Sequence, residues 1–429
     1  MQAETFTSTE LASHPVETGF AEGVSSPEVS PEQFEQPPQQ PSVPVVPPDQ
    51  VQPGQLGPCP VPWRHPLRAL AWAIRGLFGL ASLLFLLAVI AAIPGVNFLA
   101  LGYLLDVEGR LGRSGRFRDG FPLLRDAPRI GSLALGIYLW LLPLRLISGI
   151  AADAHLIDPG GRSDVFAHLA LNIAWGVITI HLILALARGG SLPTFFRPLK
   201  NALWLRRQLA SGRYLSDASQ HVRSFLARLK IRQNFWLGVR GFGVAFIWLA
   251  LPTALYAAVR RPEGGSVLVM LIGGVCLTVV LSWAPFLQAR FATENRFRSG
   301  LQLREVRTLW RYAPWSWALA TVIVYALALP LYLFKAFLLP PDAMWPITLI
   351  FVASIYPTRV MTGWAYHRAC ARKEAGKKPV YWLFRGLCSL LLMSVLGFYV
   401  FLLYFTQFIS EAGRAVLFQH HALLLPVPF

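Results

Sequence analysis

Ser266 to Ala289 read SVLVMLIGGVCLTVVLSWAPFLQA, twenty-four residues without one Asp, Glu, Lys, Arg or His. A helix of that length rises about 36 Å, enough to cross the roughly 30 Å hydrocarbon core of a bilayer. Seven further runs meet the same requirement, near 76–105, 130–151, 165–187, 235–259, 314–338, 346–366 and 380–409, and none contains Asp or Glu. The expected fold is therefore all-α: a polytopic transmembrane helical bundle of eight spans. Composition agrees, because 14% of residues are charged against roughly 25% in soluble domains. Pro94, Pro143, Pro252, Pro285, Pro330 and Pro357 lie inside the runs and predict kinks, which membrane helices tolerate. Trp63, Trp72, Trp236, Trp315, Trp345 and Trp382 sit near run ends, where an amphipathic ring meets headgroups.

The net charge of +17 first suggests a nucleic-acid partner, but its placement excludes that reading. Connectors 106–129, 188–234, 290–313 and 367–379 hold 6, 10, 6 and 5 Lys+Arg. Connectors 152–164, 260–265 and 339–345 and the segment 410–429 hold 1, 2, 0 and 1. The two sets alternate strictly. The positive-inside rule assigns the rich set to the cytoplasm, with the chain in a bacterial cytoplasmic membrane.

Residues 1–63 differ in kind, with 13 prolines, 8 glutamines, 8 acids and no Lys or Arg. Such a segment buries too little apolar surface to offset chain entropy and is expected to be disordered. No basic and apolar leader is visible in it. Pro37-Pro38-Gln39-Gln40-Pro41 offers a polyproline-like docking site for a protein partner; a solvated tail is the plainer reading. Residues 64–429 form the membrane domain.

The first run, 76–105, contains Pro94-Gly95 and admits two readings. A single crossing puts the tail outside the cell; a re-entrant hairpin leaves it in the cytoplasm with seven spans. An internal echo favours the crossing. At an offset of 188, Phe98-Leu99 matches Phe286-Leu287, Asp106 matches Glu294, Arg110 matches Arg298, Gly112 matches Gly300 and Arg116 matches Arg304. A parallel repeat of four spans plus four follows, with both termini outside.

Ile93 to Leu105 read IPGVNFLALGYLL. Through Pro94, Asn97, Leu101, Gly102, Tyr103, Leu104 and Leu105, followed by a basic stretch, this resembles a bacterial family of multi-pass membrane proteins, domain-of-unknown-function family 4013. The resemblance implies the membrane class and no activity.

Several constellations invite chemistry. Gly109-Arg110, Gly112-Arg113 and Gly115-Arg116 place guanidiniums at a spacing of three, suited to phosphates of anionic lipids; the alternative is a loop that only fixes topology. Tyr214–Arg232 and Phe297–Trp310 are expected to be amphipathic helices lying in the cytoplasmic headgroup plane. Arg145 and Arg359 lie deep in their runs, where an arginine is a functional hypothesis by default. No span offers them a carboxylate, which leaves Asp153 for Arg145 or carbonyls freed by Pro143 and Pro357. His168, Asn172, Trp175 and Thr179 share one helical face, as interhelical hydrogen bonding or a substrate path would require.

Cys59, Cys276, Cys370 and Cys388 form no C-x-x-C pair, and His420-His421 make a poor metal site by themselves. No metal or cofactor is expected. Neither a phosphate loop, nor H-E-x-x-H, nor G-x-S-x-G is present, so no enzymatic activity is expected. The expected function is a membrane scaffold, assembly or partner-binding component. The alternative is an uncoupled transporter or an exporter of lipid or a small molecule, since no membrane carboxylate serves proton or sodium coupling.

Overall fold

A computed structural model of the chain describes residues 60–61, 63–124, 126–188, 190, 192–210, 227, 229–258, 264–334, 344–408 and 413–426. The acidic tail with Pro37–Pro41 and Cys59, and most of the segment 214–232, lie outside them. Thirteen α-helices and no strand occur among the described residues. They are α1 Pro66–Ala92, α2 Asn97–Ser114, α3 Ala127–Ile157, α4 Arg162–Ala187, α5 Leu192–Phe195, α6 Pro198–Ala210 and α7 Ile231–Ala257. The remainder are α8 Ser266–Glu294, α9 Leu303–Trp310, α10 Pro314–Leu333, α11 Met344–Glu374, α12 Trp382–Thr406 and α13 Gly413–Leu417.

Seven of these, α1, α3, α4, α7, α8, α10 and α12, are long and apolar enough to cross a bilayer. The protein is a multi-pass helical membrane bundle. The expected span at 346–366 is α11, whose 31 residues equal any crossing helix in length. It is more polar because Thr348, Thr358, Arg359 and Thr362 face the interior.

The first run is not one helix. Ile93 is extended (φ −94°, ψ 116°), as a residue before proline prefers, and Gly95 takes a positive φ of 80°. The chain turns back here. Gly79 abuts Pro128, and Ser82 abuts Gly131, so the middle of α1 lies beside the start of α3. Its second half, through Leu87, Ala88 and Ala91, packs with Ala100 and Tyr103 of α2 and with Ile347 and Phe351 of α11. Residues 76–105 are thus the two legs of a hairpin, which corrects the single crossing. Pro66 stands at the same end as the start of α3, where Arg64, Arg68 and Arg75 join the arginine-rich connectors.

The returning leg is the centre of the bundle. Twelve of the 18 residues of α2 are buried, because glycines let three helices approach its backbone. Gly102 crosses Gly238 of α7, Gly109 and Gly112 lie on Ala292 and Thr293 of α8, and Gly363 of α11 lies on the Glu108 carbonyl. Small residues at such crossings replace the hydrophobic drive that lipid removes. At the far end Arg113 donates to the carbonyls of Ala292 (3.3 Å) and Thr293 (2.8 Å), and His367 hydrogen-bonds the Gly112 carbonyl at 3.2 Å. Helices α2, α8 and α11 therefore finish side by side.

The internal repeat is real at this end, but at an offset of 180. Helix α2 closes on Gly115 and α8 on Asn295, both left-handed (φ 65° and 54°). Each is followed by the same turn of 3-10 helix, Arg116-Phe117-Arg118-Asp119-Gly120 and Arg296-Phe297-Arg298-Ser299-Gly300. The next membrane helix then opens at Ala127-Pro128 or Ala313-Pro314. The offset of 188 pairs residues on unlike elements, Arg110 within α2 against Arg298 within a turn. At 180, Glu108 answers Gln288 and Arg110 answers Arg290. Segment 297–310, expected as one interfacial helix, is this turn plus the short α9, whose Val306 and Leu309 are buried.

Gly102→Val drives a side chain into the Asn234 carbonyl of α7. A loss of about 1–3 kcal/mol is expected, seen as earlier thermal unfolding of the detergent-solubilised chain; an unchanged midpoint would refute the close crossing.

Candidate functional site: a buried polar centre

Arg359 occupies the middle of α11, its side chain 3% exposed, and Glu108 on α2 is 0% exposed. Their atoms Nη1 and Oε2 lie 2.9 Å apart. Arg359 Nη1 also donates to Gln288 Oε1 at 2.9 Å, and Thr362 donates to Glu108 Oε1 at 2.6 Å. Gln288 Nε2 in turn donates to the carbonyls of Gly241 (3.1 Å) and Leu423 (2.8 Å). The Leu423 carbonyl takes a further bond from Arg359 Nη2 at 3.3 Å. Arg359 Nε is buried without a partner. Five segments, α2, α7, α8, α11 and the C-terminal stretch, are tied together at this point.

The intramembrane arginine thus has a carboxylate after all. The apolar run ends at Leu105, which puts Glu108 in the connector on composition alone. The helix continues to Ser114, and that extension carries Glu108 under α11. A charge entering a dry interior costs several kcal/mol unless paired and hydrogen-bonded. Here the pair neutralises itself, Thr362 donates to the second Glu108 oxygen, and Gln288 Oε1 accepts from Arg359 Nη1.

The C-terminal stretch is part of the site, which its place outside the spans concealed. After α12 it folds back into the bundle, burying Val416, Leu417, Ala422, Leu423 and Leu424. His420 Nε2 and Thr253 Oγ1 share a hydrogen bond of 2.8 Å. The His421 ring packs 4.9 Å from Tyr332 and 4.7 Å from Phe351. Burial lowers the His420 pKa to about 4, so its ring is neutral where the tail is docked.

The other sequence candidates fall elsewhere. Arg145 is exposed on α3 and has no hydrogen-bond or ion-pair partner, Asp153 included, among the described residues. His168, Asn172, Trp175 and Thr179 are all exposed on α4. The stripe faces away from the neighbours of α4 among the described residues, chiefly α3 with α5 and α6, and does not meet another described helix as the interhelical reading expected. His168 Nδ1 instead hydrogen-bonds the Asp164 carbonyl at 3.1 Å and lies 2.8 Å from Asp164 Oδ1, while Asp164 Oδ2 meets His155 Nδ1 at 3.0 Å. His181 is a packing residue, held by the Phe195 carbonyl at 2.8 Å and the Trp140 ring. The Gly-Arg triplet is no flexible loop. Arg110 and Arg113 lie on α2, the first paired with Asp106 at 2.7 Å and the second capping α8, so only Arg116 is left exposed and unpaired. No cluster able to hold a metal ion occurs among the described residues. Compared with known proteins, the chain matches no family model, no curated protein and no solved structure.

Breaking the pair leaves an uncompensated buried charge. Arg359→Met is expected to cost about 3–5 kcal/mol, read as loss of folded chain by size-exclusion fluorescence. Glu108→Met combined with Arg359→Met should recover most of it; a double variant as unstable as the single one would sink the pairing. The His420 ring adds a pH term. Its docked pKa lies below the free value of 6.5, so docking is at full strength above about 6.5 and weakens as pH falls toward 4. Hydrogen exchange over 413–426 should quicken at pH 5 relative to pH 7.5, and His420→Gln should flatten that dependence.

Proposed function

We propose that the chain is a non-enzymatic component of the bacterial cytoplasmic membrane, acting as a scaffold, assembly or partner-binding protein. Its arginine-rich end faces the cytoplasm and the anionic headgroups there. The acidic Pro/Gln-rich segment 1–63, which precedes Pro66 in the chain, is the segment offered to a protein partner. The resemblance of residues 93–105 to domain-of-unknown-function family 4013 supports the membrane setting.

The observation that carries this reading is that the polar centre closes on itself. A catalytic or substrate-binding group presents an atom toward an opening. Here Arg359 Nη1 and Nη2, Gln288 Nε2 and both oxygens of Glu108 bond one another, Thr362 or main chain, and Arg359 Nε alone of these is left buried without a partner; this is the bonding pattern of a structural tie. The test is the double variant Glu108→Met, Arg359→Met. If it folds and restores the envelope phenotype of a strain lacking the chain, the centre is structural. A folded double variant that fails to complement would overturn the reading. Orientation is tested at Cys59: a membrane-impermeant maleimide should leave it unlabelled in intact spheroplasts and label it once the membrane is permeabilised.

A second reading, an uncoupled carrier, is favoured by one feature. The C-terminal stretch is buried among the helices and brings the Leu423 carbonyl to Arg359. Vesicles containing a chain truncated after Phe408 should be as tight to small carboxylates and sugars as vesicles containing the full chain. Leakage confined to the truncated chain would favour the carrier.

A further inference from the structure

The two turns that follow α2 and α8 are the best-preserved part of the internal repeat, and the structure accounts for only some of what they share. Gly120 and Gly300 are held by packing: a side chain at Gly120 would press on Leu111, and one at Gly300 on Val244. Both glycine carbonyls accept a bond from an aromatic side chain, Tyr356 Oη at 2.7 Å in the first turn and Trp248 Nε1 at 3.1 Å in the second. Phe117 stacks near Trp364, ring centres 6.2 Å apart, and Phe297 lies by Gly243. The turns are thus fixed from inside by glycine and ring.

The arginines have no such role. Arg116, Arg118, Arg296 and Arg298 are exposed, and none of their guanidiniums makes a hydrogen bond or ion pair among the described residues. The only acid within either turn is Asp119; Ser299 replaces it in the second. Elsewhere the halves have diverged even at the polar centre, where Glu108 answers Gln288. Topology alone asks for positive charge near this end, in any position and as lysine equally well. It does not ask for Arg-Phe-Arg at the same two places after the same left-handed cap. A planar guanidinium differs from an ammonium in gripping a phosphate through two parallel hydrogen bonds, and an exposed ring beside it suits the headgroup boundary.

We infer that Arg116-Phe117-Arg118 and Arg296-Phe297-Arg298 form a pair of phosphate-binding sites for anionic phospholipid headgroups. Each follows a helix end, and Arg113 bonds the end of α8, so the ends of α2 and α8 from which the two turns leave are held together. The inference rests on the arginine-rich end meeting an anionic leaflet, and it names the residues that do so. It keeps Arg116 from the Gly-Arg triplet and replaces Arg110 and Arg113 with the second turn.

The test uses the full chain in detergent, titrated with phosphatidylglycerol or phosphatidylcholine and read by native mass spectrometry. The wild-type chain should retain two phosphatidylglycerol molecules in preference to phosphatidylcholine. Arg116→Gln with Arg118→Gln, or Arg296→Gln with Arg298→Gln, should each remove one of them, weakening binding about tenfold or more. Changing all four should abolish the preference with the melting point unchanged, since these side chains bond nothing within the fold. Arg→Lys at the four positions, which keeps the charge, should give intermediate binding. Control changes Arg304→Gln and Arg307→Gln, exposed at the same end, should have little effect. Competition by millimolar inorganic phosphate would identify a free anion, not a lipid, as the ligand and overturn the lipid assignment. No preference in the wild-type chain would overturn the anionic-leaflet reading itself. A preference that survives in the fourfold Gln variant would overturn only these sites.

Discussion

A full positive and a full negative charge meet in the dry interior of this bundle, and the surrounding helices are arranged to make that tolerable. Arg359 and Glu108 lie 2.9 Å apart where water cannot screen either of them. An unpaired charge there costs several kcal/mol, so α2 and α11 cannot slide or rotate apart without exposing that cost. Gln288 adds α8 to the tie through its oxygen, while its nitrogen reaches α7 and the C-terminal stretch. The link therefore acts as a register pin: apolar helices in lipid have few directional contacts, and this one fixes their relative height and rotation.

Close approach is the second requirement, and glycine meets it. Main chain comes near main chain at Gly102 with Gly238, at Gly109 with Ala292 and at Gly363 with Glu108. Without these contacts α2 would stand too far from α11 for a short Glu side chain to reach Arg359. The hairpin at Ile93–Val96 serves the same end. It lets α1 take the lipid-facing position while α2, with its acid and glycines, returns through the middle.

The repeat gives the centre an approximate symmetry. Glu108 and Gln288 occupy matching positions on two parallel helices, and both address one guanidinium. One carboxylate neutralises Arg359; a second would leave an excess buried negative charge, and the amide meets the same donor without adding one. The C-terminal stretch completes the set by presenting the Leu423 carbonyl, a neutral acceptor, where a further acid would again upset the charge balance.

The sequence by itself determined the solvent and the secondary structure. Apolar length is a local property, so the long apolar helices, the prolines within them and the alternation of basic connectors are legible residue by residue. Contacts between distant residues are not local. That Pro94-Gly95 folds 76–105 into two legs was open in the sequence and settled only by what α1 and α2 pack against. Glu108 looked like connector because composition ends a span at the last apolar residue, whereas the helix ends where its hydrogen bonds do. His168 and Asn172 read as interior because a shared face says nothing of which neighbour covers it. The C-terminal stretch read as an outer tail because its burial depends on helices distant in the chain, such as those carrying Thr253 and Gln288. Which polar groups meet is decided by packing, since a buried charge is stable only where the fold brings it a partner.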